Sequence, residues 1–77
     1  APCYVSMHLY RKGDEKIQVI ENFNDEEIRV KLNYTESASR KIGLALPDAS
    51  SASMVNVGTN TLEMTLKPRS LVLVLSE

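Results

Sequence analysis

Apolar residues recur at every second position along most of the chain. Val5, Met7 and Leu9 alternate with Tyr4, Ser6, His8 and Tyr10, and Ile17 and Val19 flank Gln18. Ile28, Val30, Leu32 and Tyr34 alternate with Arg29, Lys31 and Asn33. Ile42, Leu44 and Leu46 alternate with Gly43 and Ala45, and Leu62, Met64 and Leu66 with Thr61, Glu63 and Thr65. A period of two sends successive side chains to opposite faces of a strand, so each run predicts a strand with one buried face. The run Leu71-Val72-Leu73-Val74-Leu75 is apolar on both faces. It predicts a central strand, or one whose second side is covered by something outside the chain.

Turn residues separate these runs. Lys12-Gly13-Asp14-Glu15 predicts a hairpin, with Gly13 free to adopt a positive φ. Pro47-Asp48 and the Ser/Ala stretch after it predict a loop, and Gly58-Thr59-Asn60 a second hairpin turn. Pro68, within Lys67-Pro68-Arg69-Ser70, cannot donate to a ladder, so a strand pauses there. The segment from Glu36 to Lys41 reads as loop or a short irregular strand. About seven strands result, near 3–11, 16–23, 27–35, 40–46, 53–57, 61–66 and 70–76. The expected fold is all-β, an antiparallel β-sandwich forming a single domain over residues 1–77.

Alternation also predicts a core. It places Val5, Met7 and Leu9 inside, with Ile17, Val19 and Phe23, then Ile28, Val30 and Leu32. Leu44, Leu46 and Val55 follow, with Leu62, Met64 and Leu66, and last Leu71, Leu73 and Leu75. Between Ile20 and Ile28 the alternation breaks into Asn22-Phe23-Asn24-Asp25-Glu26-Glu27. Asn and Asp bond their own backbone in turns, so this stretch reads as a solvated turn. Phe23 is expected to reach back under it and plug the end of the core.

Composition narrows the function classes. A chain of 77 residues buries only about 60% of the surface its unfolded form exposes, so its core has to be efficient. The net charge of -1 removes the basic excess that nucleic acid or an anionic membrane surface calls for. No apolar run approaches the roughly 20 residues of a membrane span. The opening Ala1-Pro2-Cys3 shows no signal-peptide pattern and reads as the start of a piece excised from something larger. One cysteine, Cys3, makes no internal disulfide.

Candidate chemistry is sparse. Asp25, Glu26 and Glu27 with Glu21 offer oxygen ligands for calcium but lack the spacing of a calcium loop, and adjacent carboxylates on a strand diverge. His8 is the only histidine, and Cys3, five residues away, has the wrong parity to share its strand face. One Cys and one His do not make a four-ligand zinc site. No metal or cofactor is expected, and no catalytic set. Asn33-Tyr34-Thr35 fits a glycosylation sequon, a pattern that carries meaning only in a eukaryotic secretory pathway. Tyr4, Ser6, His8 and Tyr10 share one strand face. Rings with polar tips pack on a neighbouring domain or stack on sugar, so Tyr4, His8 and Tyr10 are the candidate interdomain or glycan-facing residues. The plainer reading is an ordinary half-exposed sheet face.

Two stretches carry a resemblance. In KIQVIENFNDEEIRVKL, a strand ending in Asn22-Phe23 meets the Asp25-Glu26-Glu27 turn and an alternating strand. In LEMTLKPRSLVLVL, a strand passes through Lys67-Pro68-Arg69-Ser70 into a final apolar strand. Their order resembles the C-terminal β-sandwich domain of glycoside hydrolases of the α-amylase type and related families, over nearly the whole chain. The chain departs from that pattern at Glu21, where an apolar residue is usual. The resemblance implies a non-catalytic accessory domain at the C-terminus of a larger enzyme, with the catalytic carboxylates in a preceding (β/α)₈ barrel. The expected partner is that barrel, and oligosaccharide is a second candidate. As an isolated domain the chain is expected to be monomeric. The alternatives are a stand-alone carbohydrate-binding module and an immunoglobulin-like spacer or adhesion module.

Overall fold

The computed structural model describes residues 5–76, which form seven antiparallel strands in two sheets. The strands are β1 (Val5–Lys12), β2 (Glu15–Asn22), β3 (Ile28–Asn33), β4 (Arg40–Leu46), β5 (Ala52–Val57), β6 (Thr61–Leu66) and β7 (Ser70–Ser76). A single 3₁₀ turn, Ala49–Ser51, precedes β5. The first sheet runs β1-β2-β7-β4 and the second β3-β6-β5. The apolar run at the C-terminal end, β7, is therefore central, flanked by β2 and β4. Gly13 turns the first hairpin at φ 62°, and Arg69 takes the left-handed conformation after Pro68. The Leu46–Pro47 peptide is cis.

The core lies between the sheets. Leu62, Met64 and Leu66 of β6 are fully buried, as their alternation predicts. Facing them are Ile20 of β2, Val72 and Val74 of β7, and Ala45 of β4, with Ala52 of β5 completing the buried set. Ile28, Val30, Leu32, Ile42 and Met54 pack against it half-buried.

Several expected core positions lie elsewhere. In β2 the inward face is that of Ile20 and Asn22, so Ile17 and Val19 point out. Leu71, Leu73 and Leu75 sit directly opposite Glu21, Val19 and Ile17 and share that outer face. In β4 a register shift between Ile42 and Leu44 flips the phase, turning Leu44 and Leu46 outward at 47% and 45% exposure. The irregularity centres on Gly43, where a Cβ would meet the Leu75 side chain at 2.8 Å. A second shift between Met54 and Asn56 expels Val55. Phe23 follows β2 and is half exposed; it does not plug the core. Val5, Met7 and Leu9 do share the face of Ile20, yet Met7 and Leu9 stay largely exposed. The second sheet has one strand fewer, so among the described residues no strand lies opposite β1.

Polar links close both ends of the sandwich. At one end the buried Asn22 Nδ2 donates to the Lys67 carbonyl at 2.9 Å, the Glu26 carbonyl at 3.1 Å and the Leu66 carbonyl at 3.3 Å. Its Oδ1 accepts from the backbone N–H and the side-chain Nδ2 of Asn24, each at 2.8 Å. The acidic turn is fastened on its outer side by Arg69, which pairs with Asp25 at 2.7 Å and whose backbone N–H donates to the Asn24 carbonyl. The stretch after β2 is thus a corner joining the two sheets, built around an asparagine that alternation alone takes for a solvent residue. At the other end the Tyr34 hydroxyl donates to Gln18 at 2.6 Å, and the Arg40 guanidinium lies 3.5 Å above the Tyr34 ring.

Candidate functional site

The outer faces of the two sheets differ in chemistry. The second sheet turns Arg29, Lys31, Thr61, Glu63 and Thr65 outward, with Arg29 paired to Glu63 at 2.9 Å. Apart from Val55, expelled by the β5 irregularity, that is the ordinary polar face of a sheet in contact with water. The outer face of the first sheet is built in three cross-strand rows. Tyr10, Ile17, Leu75 and Lys41 form one row, and His8, Val19, Leu73 and Leu44 the next. Ser6, Glu21, Leu71 and Leu46 form the third. Apolar residues hold most of these positions and run without interruption from Tyr10 on β1 to Leu44 and Leu46 on β4.

Each strand contributes for a local reason. β7 is apolar on both faces, so three leucines must point away from the core while Val72 and Val74 fill it. The β4 irregularity brings Leu44 and Leu46 onto the same surface. Tyr10 extends the surface to the edge strand at 58% exposure. Strand spacing makes the face about 14 Å across its four strands and about 14 Å along them between outermost Cα atoms. With side chains added, the whole face covers on the order of 400 Å², with Lys41, His8, Ser6 and Glu21 as its polar positions. Counted on both sides, that is about 800 Å², inside the range of interfaces between domains of one chain.

Of the candidate residues named from sequence, His8 and Tyr10 stand on this face, both exposed. Tyr4 lies outside the described residues. Among the described residues of this face the Ser6 hydroxyl lies 3.0 Å from His8 Nε2, while Glu21 sits opposite Ser6 and Val19 opposite His8. Catalysis by that pair needs a third group behind the base. Among the described residues no three His, Cys, Asp or Glu side chains converge to hold a metal ion. No helix among them is long and apolar enough to cross a membrane. Asp25, Glu26 and Glu27 remain spread along the corner turn, with Asp25 engaged by Arg69.

A second feature lies between the sheets, on the side of β1. A cleft of about 330 Å³ opens there, lined by Leu9 and Arg11 of β1, Leu32 of β3, and Tyr34. Lys16 pairs with Glu36 at 2.6 Å in its wall, and that hydrogen bond holds the Glu36 carboxyl below its ordinary pKa. Burial raises the Tyr34 phenol, with the Arg40 charge opposing. Arg40 also donates to the carbonyls of Thr59 at 2.8 Å and Glu36 at 3.1 Å, so it ties the cleft's end together. Sequence reasoning missed both this cleft and the outward rows. The signal for the rows was the two-faced apolar run of β7. Comparison with protein-family models, curated proteins and solved structures finds no match for the chain.

Proposed function

We propose that the chain is a non-catalytic accessory β-sandwich that docks on a neighbouring globular unit through the outer face of its first sheet. Taken with the resemblance of its two strand-turn-strand stretches, that unit is the (β/α)₈ catalytic barrel of a glycoside hydrolase, and the role of the domain is to stabilise it. The observation that carries the reading is the contrast between the two outer faces. One is polar, whereas the other leaves Tyr10, Leu44 and Leu46 each roughly half exposed beside three leucines of β7. An apolar patch concentrated on one of the two outer faces fits an interaction site. Helices covering a barrel offer a large surface for it.

The test compares the 77-residue chain with the native polypeptide that contains it. Carbene footprinting should label Leu44, Leu46 and Tyr10 strongly in the isolated chain and weakly in the longer polypeptide. Equal labelling in both removes the docking reading. The reading frame upstream of Ala1 decides the hydrolase part. Roughly 250 residues of alternating strand and helix support a barrel, and further short-strand domains point to a spacer or adhesion module instead.

A further inference from the structure

β3 ends the second sheet on the side of β1. The Tyr34 N–H donates to the Asn60 carbonyl at 2.7 Å, which fixes the phase of the ladder. Ile28, Val30 and Leu32 are in step with Tyr34 and turn their backbone groups toward β6. Arg29, Lys31 and Asn33 therefore turn their N–H and C=O groups to the free edge. One strand spacing beyond that edge, about 4.8 Å, is a position directly over β1 that no described residue fills. Its floor is apolar, because Met7 and Leu9 point into it at 49% and 59% exposure.

The other paired edge differs. β4 and β5 lie together on the far side, and each is broken by a register shift, at Ile42/Leu44 and Met54/Asn56. Such bulges spoil an edge for pairing. The β3 ladder with β6 shows no shift. A row of alternating donors and acceptors is matched by another extended polypeptide backbone, which is the chemistry of strand addition.

We propose that the free edge of β3 takes an extended segment of a partner polypeptide as a fourth strand of the second sheet. Its inward side chains are apolar and cover Met7 and Leu9. Its outward side chains are acidic and stand beside Lys31, Arg29 being already paired to Glu63. Charge selects this partner over a second copy of the chain. Antiparallel pairing of two β3 edges centred on Lys31 sets Lys31 directly against its own counterpart, and like charges directly opposite destabilise a ladder. The site uses the second sheet's edge, so it stands or falls independently of docking by the outer face of the first.

The probe is a short, end-blocked peptide of alternating valine and glutamate, titrated into the ¹⁵N-labelled chain. The Arg29, Lys31 and Asn33 amides should shift and exchange more slowly with solvent, and the Met7 and Leu9 methyl signals should move with them. Lys31→Pro removes an edge-facing N–H that β6 does not use, so the fold survives. It should weaken the peptide by about tenfold, the size of one lost backbone hydrogen bond. Lys31→Ala, which keeps the N–H, should lose less. A peptide N-methylated at alternate residues should not bind, a control independent of any variant's folding. Unmoved β3 amides at millimolar peptide overturn the proposal, as do shifts confined to β1, β4 or β5. Equal binding by the N-methylated peptide overturns it too. Protection of the same amides without peptide, with a dimer in sedimentation, assigns the edge to a second copy instead.

Discussion

Asn22 and Lys67 are joined by a 2.9 Å hydrogen bond from the asparagine amide to the lysine carbonyl, across 45 residues of sequence. Asn22 ends a strand of the first sheet, whereas Lys67 follows a strand of the second. The same amide also serves Leu66 and Glu26, so three carbonyls depend on one side chain that is 1% exposed. Asn22→Ala should cost about 3 kcal/mol, since buried acceptors left without a donor lose about 1–3 kcal/mol each and water enters to recover part of it. Urea unfolding checks this, and a midpoint within error of the parent would show the corner to be held by other contacts. Asn22→Asp should be pH-dependent. The introduced carboxyl donates only when protonated, so its folded pKa is raised above the unfolded value. Its contribution is then present below the unfolded pKa and lost as pH rises through the folded one.

Phe23, next in sequence, has the opposite standing. Its ring is 50% exposed, whereas Leu62 and Met64 are fully buried. Phe23→Ala should cost less than about 1.5 kcal/mol, against about 2–5 kcal/mol for Leu62→Ala or Met64→Ala. Parallel urea titrations of the three variants measure the contrast. A Phe23 variant as damaged as the other two would restore the aromatic plug that alternation predicts.

Leu44→Asp and Leu46→Asp place a charge on the outer face of the first sheet, where both leucines are exposed to solvent. Each should change the stability of the isolated chain by less than about 1 kcal/mol, as surface substitutions do. Each should also lower binding of an apolar dye. Val72→Asp, on the opposite face of the same sheet, should unfold the chain, because it buries an unpaired charge. Circular dichroism of the three variants separates the outcomes, and unfolding by Leu44→Asp would place that side chain in the core.

Two carboxyl groups tie stability to acid pH. Asp48 caps the 3₁₀ turn, accepting from the Ser50 hydroxyl at 2.6 Å and the Ser50 N–H at 2.9 Å, and these bonds hold its pKa below the ordinary value. Glu36 is lowered by its hydrogen bond to Lys16. A depressed folded pKa contributes stability above the unfolded value and loses it as pH falls through the folded one. The chain should therefore weaken as pH drops below about 4, where ordinary carboxylates titrate. Asp48→Asn combined with Glu36→Gln should flatten that slope. Thermal midpoints taken across the acid range test it, and an unchanged slope in the double variant would assign the effect to other carboxyls.

Strand positions and the all-β class were legible in the sequence because turns and alternation bracket each strand. Face assignment was legible only where one face is polar. β6 alternates Leu62, Met64 and Leu66 with Thr and Glu, and its buried side is the apolar one. In β7 both faces are apolar, and in β2 Val19 and Ile20 are adjacent, so parity could fall either way. The inward positions of β2 also include Gln18 and Asn22, which read as solvent residues. Only tertiary partners, the Tyr34 hydroxyl and the corner carbonyls, satisfy them inside. In β4 and β5 an extra residue shifts the phase partway along the strand, and no local pattern announces it beyond Gly43. The candidate face was half legible. His8 and Tyr10 were named, but the leucines that make the surface apolar had been assigned to the core.

The place of β7 bears on how the chain is made. This last strand is inserted between β2 and β4, and the corner it leads from joins Asn22 to residues 44 and 45 positions later. A nascent chain halted before Ser70 leaves β4 with no ladder in the first sheet and β2 with only its hairpin partner. The core between the sheets cannot close before β7 is in place, although the corner partners Asn22, Glu26, Leu66 and Lys67 all precede it. Closure of the first sheet therefore waits for β7 and is slowed by these distant pairings, so that products truncated before it stay open to proteolysis.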